Sequence, residues 1–385
     1  MPRRPLRPPR EAFAGLIALF TAHARRIVHC AMGEVTRRGP YSAAITTGPD
    51  RTVLLFFEDV ERDVVIPADR YLARAVRRIY HTFTEGQRVS GFEIAFWSLV
   101  RALELAGCRV VVNNYALARR HPEHPIGIAG YPHALERWTL PNPAVLGPGL
   151  LDHPAQMPTL MQDSRFRSYI VPCRWMWDLF EPFFPGKCVL WYGGLDVDAW
   201  PDTRAHAKDI DVLVYDKLRW NRAHMVPAIK EPVIAELQRR GLRTATITPG
   251  AYDHDEYRAL LSRSKSMLFL CEHETQGLAY QEAMACNVPI LAWDPEEWMD
   301  PDRGQWTDQK VTTSSVPYFS PSCGERFHDP ATFPACLDRF LANLDSYEPR
   351  EYVRSVLSFA HSADLYLAAY TAAARAPHES VARVD

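Results

Sequence analysis

The chain has 385 residues, of which 47% are hydrophobic and 11% aromatic, with a formal net charge of −2 and an isoelectric point of about 6.7. A charge this close to neutral argues against a dedicated nucleic-acid binder, which needs a basic surface. Single hydrophobic cores stop growing at about 250 residues, so the chain is long enough for two. The eight cysteines are scattered without a Cys-x-x-Cys pair, which is typical of reduced cysteines in the cytosol. We therefore expect a cytoplasmic protein with two α/β domains.

The first 75 residues carry the weakest pattern, and we treat them as an N-terminal extension of unknown role. Residues 12–22 form an apolar run that is too short to span a membrane, and an arginine-rich leader precedes it. The run resembles a signal peptide, but its helical spacing favours a surface helix whose basic leader contacts the inner face of an anionic membrane. Farther on, residues 51–58 and 63–67 can pair as a hairpin.

Residues 76–186 alternate apolar runs with amphipathic stretches, which predicts a Rossmann-like N-terminal domain. Predicted strands cover residues 78–84, 109–113, 126–129, 144–146 and 168–171, and a helix covers 92–105. His153 follows the carboxyl end of a predicted strand and could line an acceptor site, although a loop histidine is more often simply solvated. His133 competes for the same role.

Residues 187–349 repeat this alternation and predict a C-terminal Rossmann-like domain. Predicted strands cover 211–215, 243–248, 267–270, 288–293 and 311–319, with helices at 278–286 and 331–344 and a final amphipathic helix at 350–375. Asp196 and Asp198 form an Asp-x-Asp triplet of the kind that holds a divalent ion. Such triplets also recur by chance nearby, at residues 209–211 and 253–255.

The loop at residues 274–277 follows a predicted strand and opens a helix, where free backbone N–H groups and the helix dipole attract an anion. Glu274 on this loop and Glu282 on the second helical turn can both face the crevice above the strand ends. Two carboxylates suit a ligand with several hydroxyls, and the helix opening suits a phosphate, so together they describe a nucleotide sugar. The plainer alternative is a helix cap and a solvated helix residue.

The spacing of Glu274 and Glu282, followed by Ala-Met-Ala-Cys-Asn-Val-Pro, closely resembles the donor-site motif of retaining GT-B glycosyltransferases, the glycosyl transferases group 1 family. The resemblance implies the GT-B fold, in which two Rossmann-like domains with parallel sheets face a central cleft. It also implies that Glu274 lies against the donor sugar and that Glu282 binds the ribose. Gly277 and Leu278 would lie beside the diphosphate, and Gln276, in the same loop, is expected among the donor-binding residues.

Further residues take roles from the same resemblance. Lys217 and Arg222 match the spacing of two basic residues that the family uses on the diphosphate. Gly250 and Tyr252 stand in a loop at the level where the family holds the base. Gly91 closes a loop that resembles the glycine-containing donor loop of the N-terminal domain.

The family pattern also applies to two helix ends. Asn287 replaces the glycine that usually ends the helix after the second glutamate, and asparagine tolerates the left-handed backbone required there. The final helix, residues 350–375, is expected to cross back to the N-terminal domain, as in this family.

The resemblance implies a hexosyl- or related glycosyltransferase that moves a sugar from a nucleotide diphosphate donor to a glycan, lipid or small-molecule acceptor with retention of configuration. No metal or cofactor is expected, because cations and backbone amides neutralise the leaving diphosphate. The alternatives are another GT-B enzyme, such as a nucleotide-sugar epimerase or an α-glucan synthase, and a non-catalytic GT-B-like binding subunit. The sequence names neither the donor sugar nor the acceptor.

Overall fold

The structure, a computed structural model, describes residues 51–57, 91–135, 138–307 and 310–375. The arginine-rich leader, the apolar run at 12–22 and the predicted strands at 63–67 and 78–84 lie outside these residues. Gly91 begins the first described helix, and the loop that it closes lies outside as well. Among the helices of the described ranges, none is long and apolar enough to cross a membrane.

Among the described residues, six parallel strands form the N-terminal sheet, in the order β2-β1-β3-β4-β5-β6. These strands are β1 (Thr52–Phe57), β2 (Arg109–Val112), β3 (Ile126–Gly130), β4 (Ala144–Gly149), β5 (Phe166–Val171) and β6 (Cys188–Leu190). Successive side chains of a strand point to opposite faces, so in β1 Val53 and Leu55 enter one core while Leu54 and Phe56 enter the other. Because both faces are covered, such a strand is apolar along its whole length.

Five parallel strands of the described chain form the C-terminal sheet, in the order β11-β10-β9-β7-β8. They are β7 (Ile210–Asp216), β8 (Thr244–Ile247), β9 (Ser264–Leu270), β10 (Ile290–Trp293) and β11 (Gly324–Phe327). The strand order reverses between β7 and β9, since the chain first adds β8 on one side and then β9 on the other. In open α/β sheets, ligands bind above the carboxyl ends of the strands at such a reversal.

Helices connect the strands and cover both sheets. They are α1 (Gly91–Leu105), α2 (Tyr115–Arg120), α3 (Arg174–Phe180), α4 (Arg222–Met225), α5 (Glu231–Arg239), α6 (His254–Arg263), α7 (Leu278–Ala285), α8 (Phe333–Ala342), α9 (Pro349–Val356) and α10 (Phe359–Arg375). A π-helical turn, Val226–Lys230, joins α4 to α5. After α7 the backbone of Asn287 is left-handed, with φ +64°, as the sequence led us to expect.

The single helix predicted at 350–375 is two helices in the structure. The break lies at Leu357, whose carbonyl accepts a hydrogen bond from the Leu195 N–H at 2.8 Å, while the Phe359 N–H donates to the Leu195 carbonyl at 3.2 Å. Helix α9 packs on the core of the C-terminal sheet through Val353. Helix α10 returns to the N-terminal sheet.

Two tyrosines attach α10 to the N-terminal sheet. Tyr366 and Tyr370 lie in the same core as Val53 of β1. The Tyr370 hydroxyl accepts a hydrogen bond from the Leu54 N–H at 2.9 Å and donates one to the Pro125 carbonyl. Helix α10, the last described helix, therefore covers one face of the N-terminal sheet.

The N-terminal sheet extends past both of its predicted boundaries. Strand β1 lies inside the predicted extension 1–75 and pairs in parallel with β2 and β3. Residues 63–67, the other half of the predicted hairpin, lie outside the described residues. Strand β6 lies beyond the predicted boundary at residue 186 and pairs with β5. The strand predicted at 311–319 is an irregular loop, and the last strand that the structure describes is β11. Short apolar runs look alike in a hairpin, a buried strand and a buried loop, so local pattern did not separate them.

Replacing Tyr370 with phenylalanine should destabilise the fold by about 1–3 kcal/mol, because the buried Leu54 amide and Pro125 carbonyl lose their partner. Tyr366→Phe is the matched control, since Tyr366 is also buried and its hydroxyl has no hydrogen-bond partner among the described residues. This control should be neutral or slightly stabilising. Urea denaturation followed by circular dichroism measures both variants, and equal losses would contradict the role given to the Tyr370 hydroxyl.

Candidate donor-binding site

Lys217 and Glu274 meet at the carboxyl ends of neighbouring strands. Strand β7 ends at Asp216 and β9 at Leu270, and these two residues are paired in register, so the loops that follow them are adjacent. The Lys217 ammonium contacts Oε1 of Glu274, and Nη2 of Arg219 lies 3.5 Å from the same oxygen. The Glu274 side chain is only 9% exposed, so the two cations compensate a largely buried charge.

Arg222, the second cation predicted for the diphosphate, binds Asp216 in the structure. Its guanidinium donates to both Asp216 oxygens at 2.9 Å and to the Leu218 carbonyl at 2.6 Å. Lys230 adds a further bond to Asp216 at 2.8 Å. Burial alone would raise the pKa of Asp216, but the hydrogen bonds from Arg222 and Lys230 lower it to about 2. The place beside the buried glutamate is taken instead by Arg219.

Two residues just before Glu274 belong to the site although the sequence reasoning passed over them. Glu272 is fully buried, and its Oε1 accepts hydrogen bonds from the N–H groups of Arg219 at 2.8 Å and Trp220 at 3.1 Å. The ring of His273 stacks on Trp220 at 4.9 Å. Burial lowers the pKa of His273 to about 4, so its ring is neutral at pH 7. The run of three ionisable residues at a strand end was a signal that could have identified them.

The main chain of Glu274 is held from both domains. Trp175, on α3 of the N-terminal domain, donates from its indole N–H to the Glu274 carbonyl at 2.8 Å. The Glu274 N–H donates to the Ser314 carbonyl at 2.9 Å. Ser314 is itself held by buried Asp294, which accepts its hydroxyl at 2.9 Å and a bond from Arg326 at 3.1 Å. Asp294 therefore positions the loop behind Glu274.

The loop that opens α7 is built as the sequence suggested, but one side chain has a different task. Gly277 caps the helix with φ +82°, and a side chain there would collide with the Tyr280 ring. Gln276 exchanges two hydrogen bonds with the backbone of Gly193, one of them at 3.0 Å from the Gly193 N–H. The Gln276 amide therefore joins the loop at residues 274–277 to the segment between the two sheets. Leu278 is partly buried against the C-terminal core.

Glu282 is partly buried, and no hydrogen-bond partner for its carboxylate is found in the described part of the chain. Burial raises the pKa of Glu282 to about 8, against an opposing effect of the Arg258 charge. Tyr252 is a neighbour of Glu282. Burial raises the pKa of Tyr252, and the Glu282 charge adds to this effect. The Tyr252 hydroxyl is 2.7 Å from that of Tyr215, and Gly250 supplies the turn after β8 with φ +81°.

The two histidines proposed for the acceptor side lie in different surroundings. His153 is 1% exposed, its Nδ1 accepts a hydrogen bond from the Ala155 N–H at 3.0 Å, and burial lowers its pKa. Its ring is stacked with Trp298 at 6.1 Å and with Trp306 at 5.8 Å. His133 is exposed. His153 is thus part of an aromatic cluster and not a solvated loop residue.

A cavity of about 260 Å³ lies between the ends of β4 and β5 and the loops that follow β7, β9 and β10. Its walls are mostly aromatic and aliphatic, and its polar lining comprises Asp152, Arg219, His273, Thr275 and Asp300. Because Arg219 and His273 border both this cavity and the surroundings of Glu274, the cavity adjoins the candidate donor site.

The Asp-x-Asp triplet has a structural explanation. Asp196 caps a short helical turn by accepting a hydrogen bond from the Ala199 N–H at 3.3 Å, and Asp198 is exposed. Within the described ranges, no group of three or more histidine, cysteine, aspartate or glutamate side chains is arranged to hold a metal ion.

No family model matches the chain, and no curated protein sequence matches it. Solved structures do match. The catalytic domain of starch synthase IV from Arabidopsis thaliana, bound to ADP and acarbose, is 10% identical, with a TM-score of 0.50, over 84% of this chain and 99% of that one. Sucrose-phosphate synthase from Thermosynechococcus elongatus is 14% identical, with a TM-score of 0.44, over 84% of this chain and all of that one. TarM is 10% identical, with a TM-score of 0.46, over 71% of this chain, which spans 58% of the TarM chain.

The two parallel sheets and their strand orders, together with the likeness to the starch synthase domain, define the fold class. The chain has the GT-B fold, as the sequence predicted. At this level of identity, the comparison establishes the architecture alone.

Replacing Glu282 with glutamine should remove a pH dependence of stability. The ordinary pKa of glutamate is 4.5, so between pH 4.5 and about 8 the folded chain keeps a proton that the unfolded chain has released. Folding stability contributed by this group therefore falls as pH rises through that window. When the pH is raised from 5 to 8.5, the free energy of unfolding of Glu282→Gln should increase by roughly 1–3 kcal/mol relative to that of the parent.

Urea midpoints of parent and variant at both pH values measure this gain. Glu104→Gln, a change of the same kind at an exposed position on α1, is the control and should show no gain with pH. A parent-to-variant difference that stays constant with pH would mean that Glu282 is ionised in the folded chain throughout.

Proposed function

We propose that this chain is a retaining glycosyltransferase that moves a hexosyl or related sugar from a nucleotide diphosphate to an acceptor. One arrangement carries the proposal. At the strand-order reversal of the C-terminal sheet, Lys217 and Arg219 flank Glu274, while Gly277 opens α7 and Glu282 presents a carboxylate without a partner in the described chain. This combination offers cations and free amides for a diphosphate beside carboxylates for hydroxyls.

The nucleoside half of the donor would bind above β7 and β8. Glu282 would accept hydrogen bonds from the ribose hydroxyls. This role would explain why the half-buried carboxyl group has no hydrogen-bond partner among the described residues. Tyr252, on the turn that Gly250 makes possible, would lie against the base. The amides of Gly277 and Leu278 would face the diphosphate at the start of α7, where the helix dipole favours negative charge.

The diphosphate would compete with Glu274 for the two cations. Lys217 and Arg219 contact that carboxylate in the free protein, and an anion at the opening of α7 would draw them away from it. Arg222 would affect diphosphate binding indirectly, because its bonds to Asp216 hold the turn that carries Lys217. We propose Arg222 as a positioning residue and Arg219 as the second diphosphate cation.

In the proposed reaction, the bond between the anomeric carbon and the diphosphate oxygen breaks, and the acceptor hydroxyl oxygen forms a new bond to that carbon. The hydroxyl proton passes to the departing diphosphate. Glu274 would stabilise the positive character that develops on the sugar, an interaction strongest in the transition state. His153 would serve the acceptor side indirectly, by supporting Trp298 in the wall of the cavity.

The domain division, location and partners are further proposals. The N-terminal domain would run from β1 to β6 and be completed by α10, and the C-terminal domain would run from β7 to α9. The protein would be cytoplasmic, with residues 1–30 in contact with the inner face of the membrane. Sedimentation with anionic vesicles, with and without these residues, tests that contact.

Replacing Glu282 should reduce nucleotide affinity, whereas replacing Glu274 should reduce turnover. At about pH 8.5, where Glu282 is ionised in the folded chain, Glu282→Ala should weaken binding of the free nucleoside diphosphate at least about tenfold, since charge-assisted hydrogen bonds contribute about 1.5–3 kcal/mol each. Glu274→Gln should leave nucleoside diphosphate affinity unchanged or higher, because Lys217 loses a competing partner. Its turnover should fall roughly 100-fold or more, as when a group that stabilises transition-state charge is removed.

Calorimetry with UDP, ADP and GDP identifies the base and gives the affinities, and steady-state kinetics with the matching sugar nucleotides gives turnover. Glu104→Gln again serves as the control for a lost surface charge. Parent-like nucleotide binding by Glu282→Ala, or full turnover by Glu274→Gln, would refute this donor site.

Activity should not depend on a divalent metal, because Lys217, Arg219 and the amides at the start of α7 supply the positive charge that a metal would otherwise provide. Initial rates in excess EDTA and in added Mn²⁺ or Mg²⁺ should agree within about twofold. A loss of activity in EDTA that Mn²⁺ restores would instead assign Asp196 and Asp198 to a metal site.

A further inference from the structure

The cavity beside the candidate donor site combines aromatic walls with acidic groups. Trp175, Trp220 and Trp298 line it, together with Asp152 from the loop after β4 and Asp300 from the loop after β10. Its volume of about 260 Å³ is just below the ~300–1,000 Å³ of pockets that enclose drug-sized ligands, so it suits a group of about one ring. A long lipid chain does not fit within it.

The two aspartates have no cationic partner among the described residues, although Asp152 is exposed to solvent and Asp300 accepts a hydrogen bond from the Asp302 N–H at 2.8 Å. No lysine, arginine or histidine in the described chain forms an ion pair with Asp152 or Asp300, although ion pairs are numerous elsewhere in the same domains. Partial burial and the nearby Asp300 carboxylate raise the pKa of Asp152, which places the two carboxylates close enough to repel each other. Arg219 also lines the cavity, but its guanidinium lies near Glu274.

His273 provides an independent indication of a ligand. It lines the cavity, it is only 8% exposed, and its Nδ1 has no hydrogen-bond partner among the described residues. Burial holds its pKa near 4, so at neutral pH the ring is uncharged and does not offset the aspartates. A buried polar atom without a partner costs about 1–3 kcal/mol, and a ligand that hydrogen-bonds to it recovers that cost.

We propose that this cavity binds the acceptor through a positively charged amino group carried on a ring, so that the acceptor class is an amino sugar or a similar amine-bearing ring. An ammonium group carries three donors, which match the two carboxylates and the free imidazole nitrogen. Its charge also relieves the repulsion between Asp152 and Asp300, and aromatic walls attract cations through their π-faces. A neutral sugar would hydrogen-bond to these groups but leave the charges uncompensated. The acceptor role rests on the proposed function, whereas the preference for a cation does not.

The test compares three ligands that share one ring: methyl glucosaminide, methyl glucoside and methyl N-acetylglucosaminide. At pH 6.5 the first carries an ammonium group, the second has a hydroxyl in its place, and the third keeps the nitrogen without the charge. Ligand-observed NMR titrations of the full chain, with and without UDP, should show the amine binding at least about tenfold more tightly than either neutral ligand.

Variants of the cavity test whether Asp152 and Asp300 cause the preference for the amine. The double change Asp152→Asn and Asp300→Asn should reduce the preference for the amine to below about twofold while leaving the neutral ligands unaffected. Glu297→Gln, an exposed change three residues from Asp300 that does not line the cavity, is the matched control and should keep the preference. Equal binding of the three ligands, no binding of the amine to the parent, or a preference that survives the double change would each overturn the proposal.

Titrations of the same samples with UDP, ADP and GDP separate the two proposals. Nucleotide binding without an amine preference removes the acceptor class and leaves the donor site standing. An amine preference without binding of any nucleoside diphosphate removes the glycosyltransferase proposal and leaves an amine-binding cavity.

Discussion

Buried carboxylates at the carboxyl edge of the C-terminal sheet dictate how the loops around them are arranged. Asp216, Glu272, Glu274 and Asp294 are each at most 8% exposed. A charge this far from water persists only with cations or N–H groups around it. Asp216, Glu272 and Glu274 bind the segment that follows β7. Asp294 binds Ser314 in the loop that follows β10, so the loops at this edge take the positions that these bonds require. The candidate donor site is the surface that results.

Hydrogen bonds between side chains and the main chain join the two domains. The Trp175 indole reaches across to the Glu274 carbonyl, and Gln276 bonds to the backbone of Gly193. The Tyr318 hydroxyl donates to the Pro172 carbonyl from the loop that also supports Glu274. The cavity lies among these contacts, so its walls come from both domains. A proposed acceptor held there is adjacent to the proposed donor because one set of hydrogen bonds positions both.

Much of the fold followed from local pattern. Most described strands and α7 lie where apolar runs and helix-forming residues predicted them, because burial on both faces of a parallel sheet leaves a continuous apolar signature. Gly277 at the start of α7 and Asn287 after its end were readable for a similar reason, since few residues tolerate the backbone that a helix end imposes. These features depend on neighbours within a few positions in the chain.

The sequence by itself determined the α/β alternation of two domains and the positions of Glu274 and Glu282 after a strand end. Only the tertiary structure decided that Asp216 binds Arg222, so that Arg219 is the cation beside Glu274. It also placed His153 against Trp298, more than a hundred positions away in the chain. The physical reason is the same in both cases. Hydrophobic periodicity is set by adjacent residues, whereas the partner of a buried charge or ring is whichever group the folded chain brings within a few ångströms.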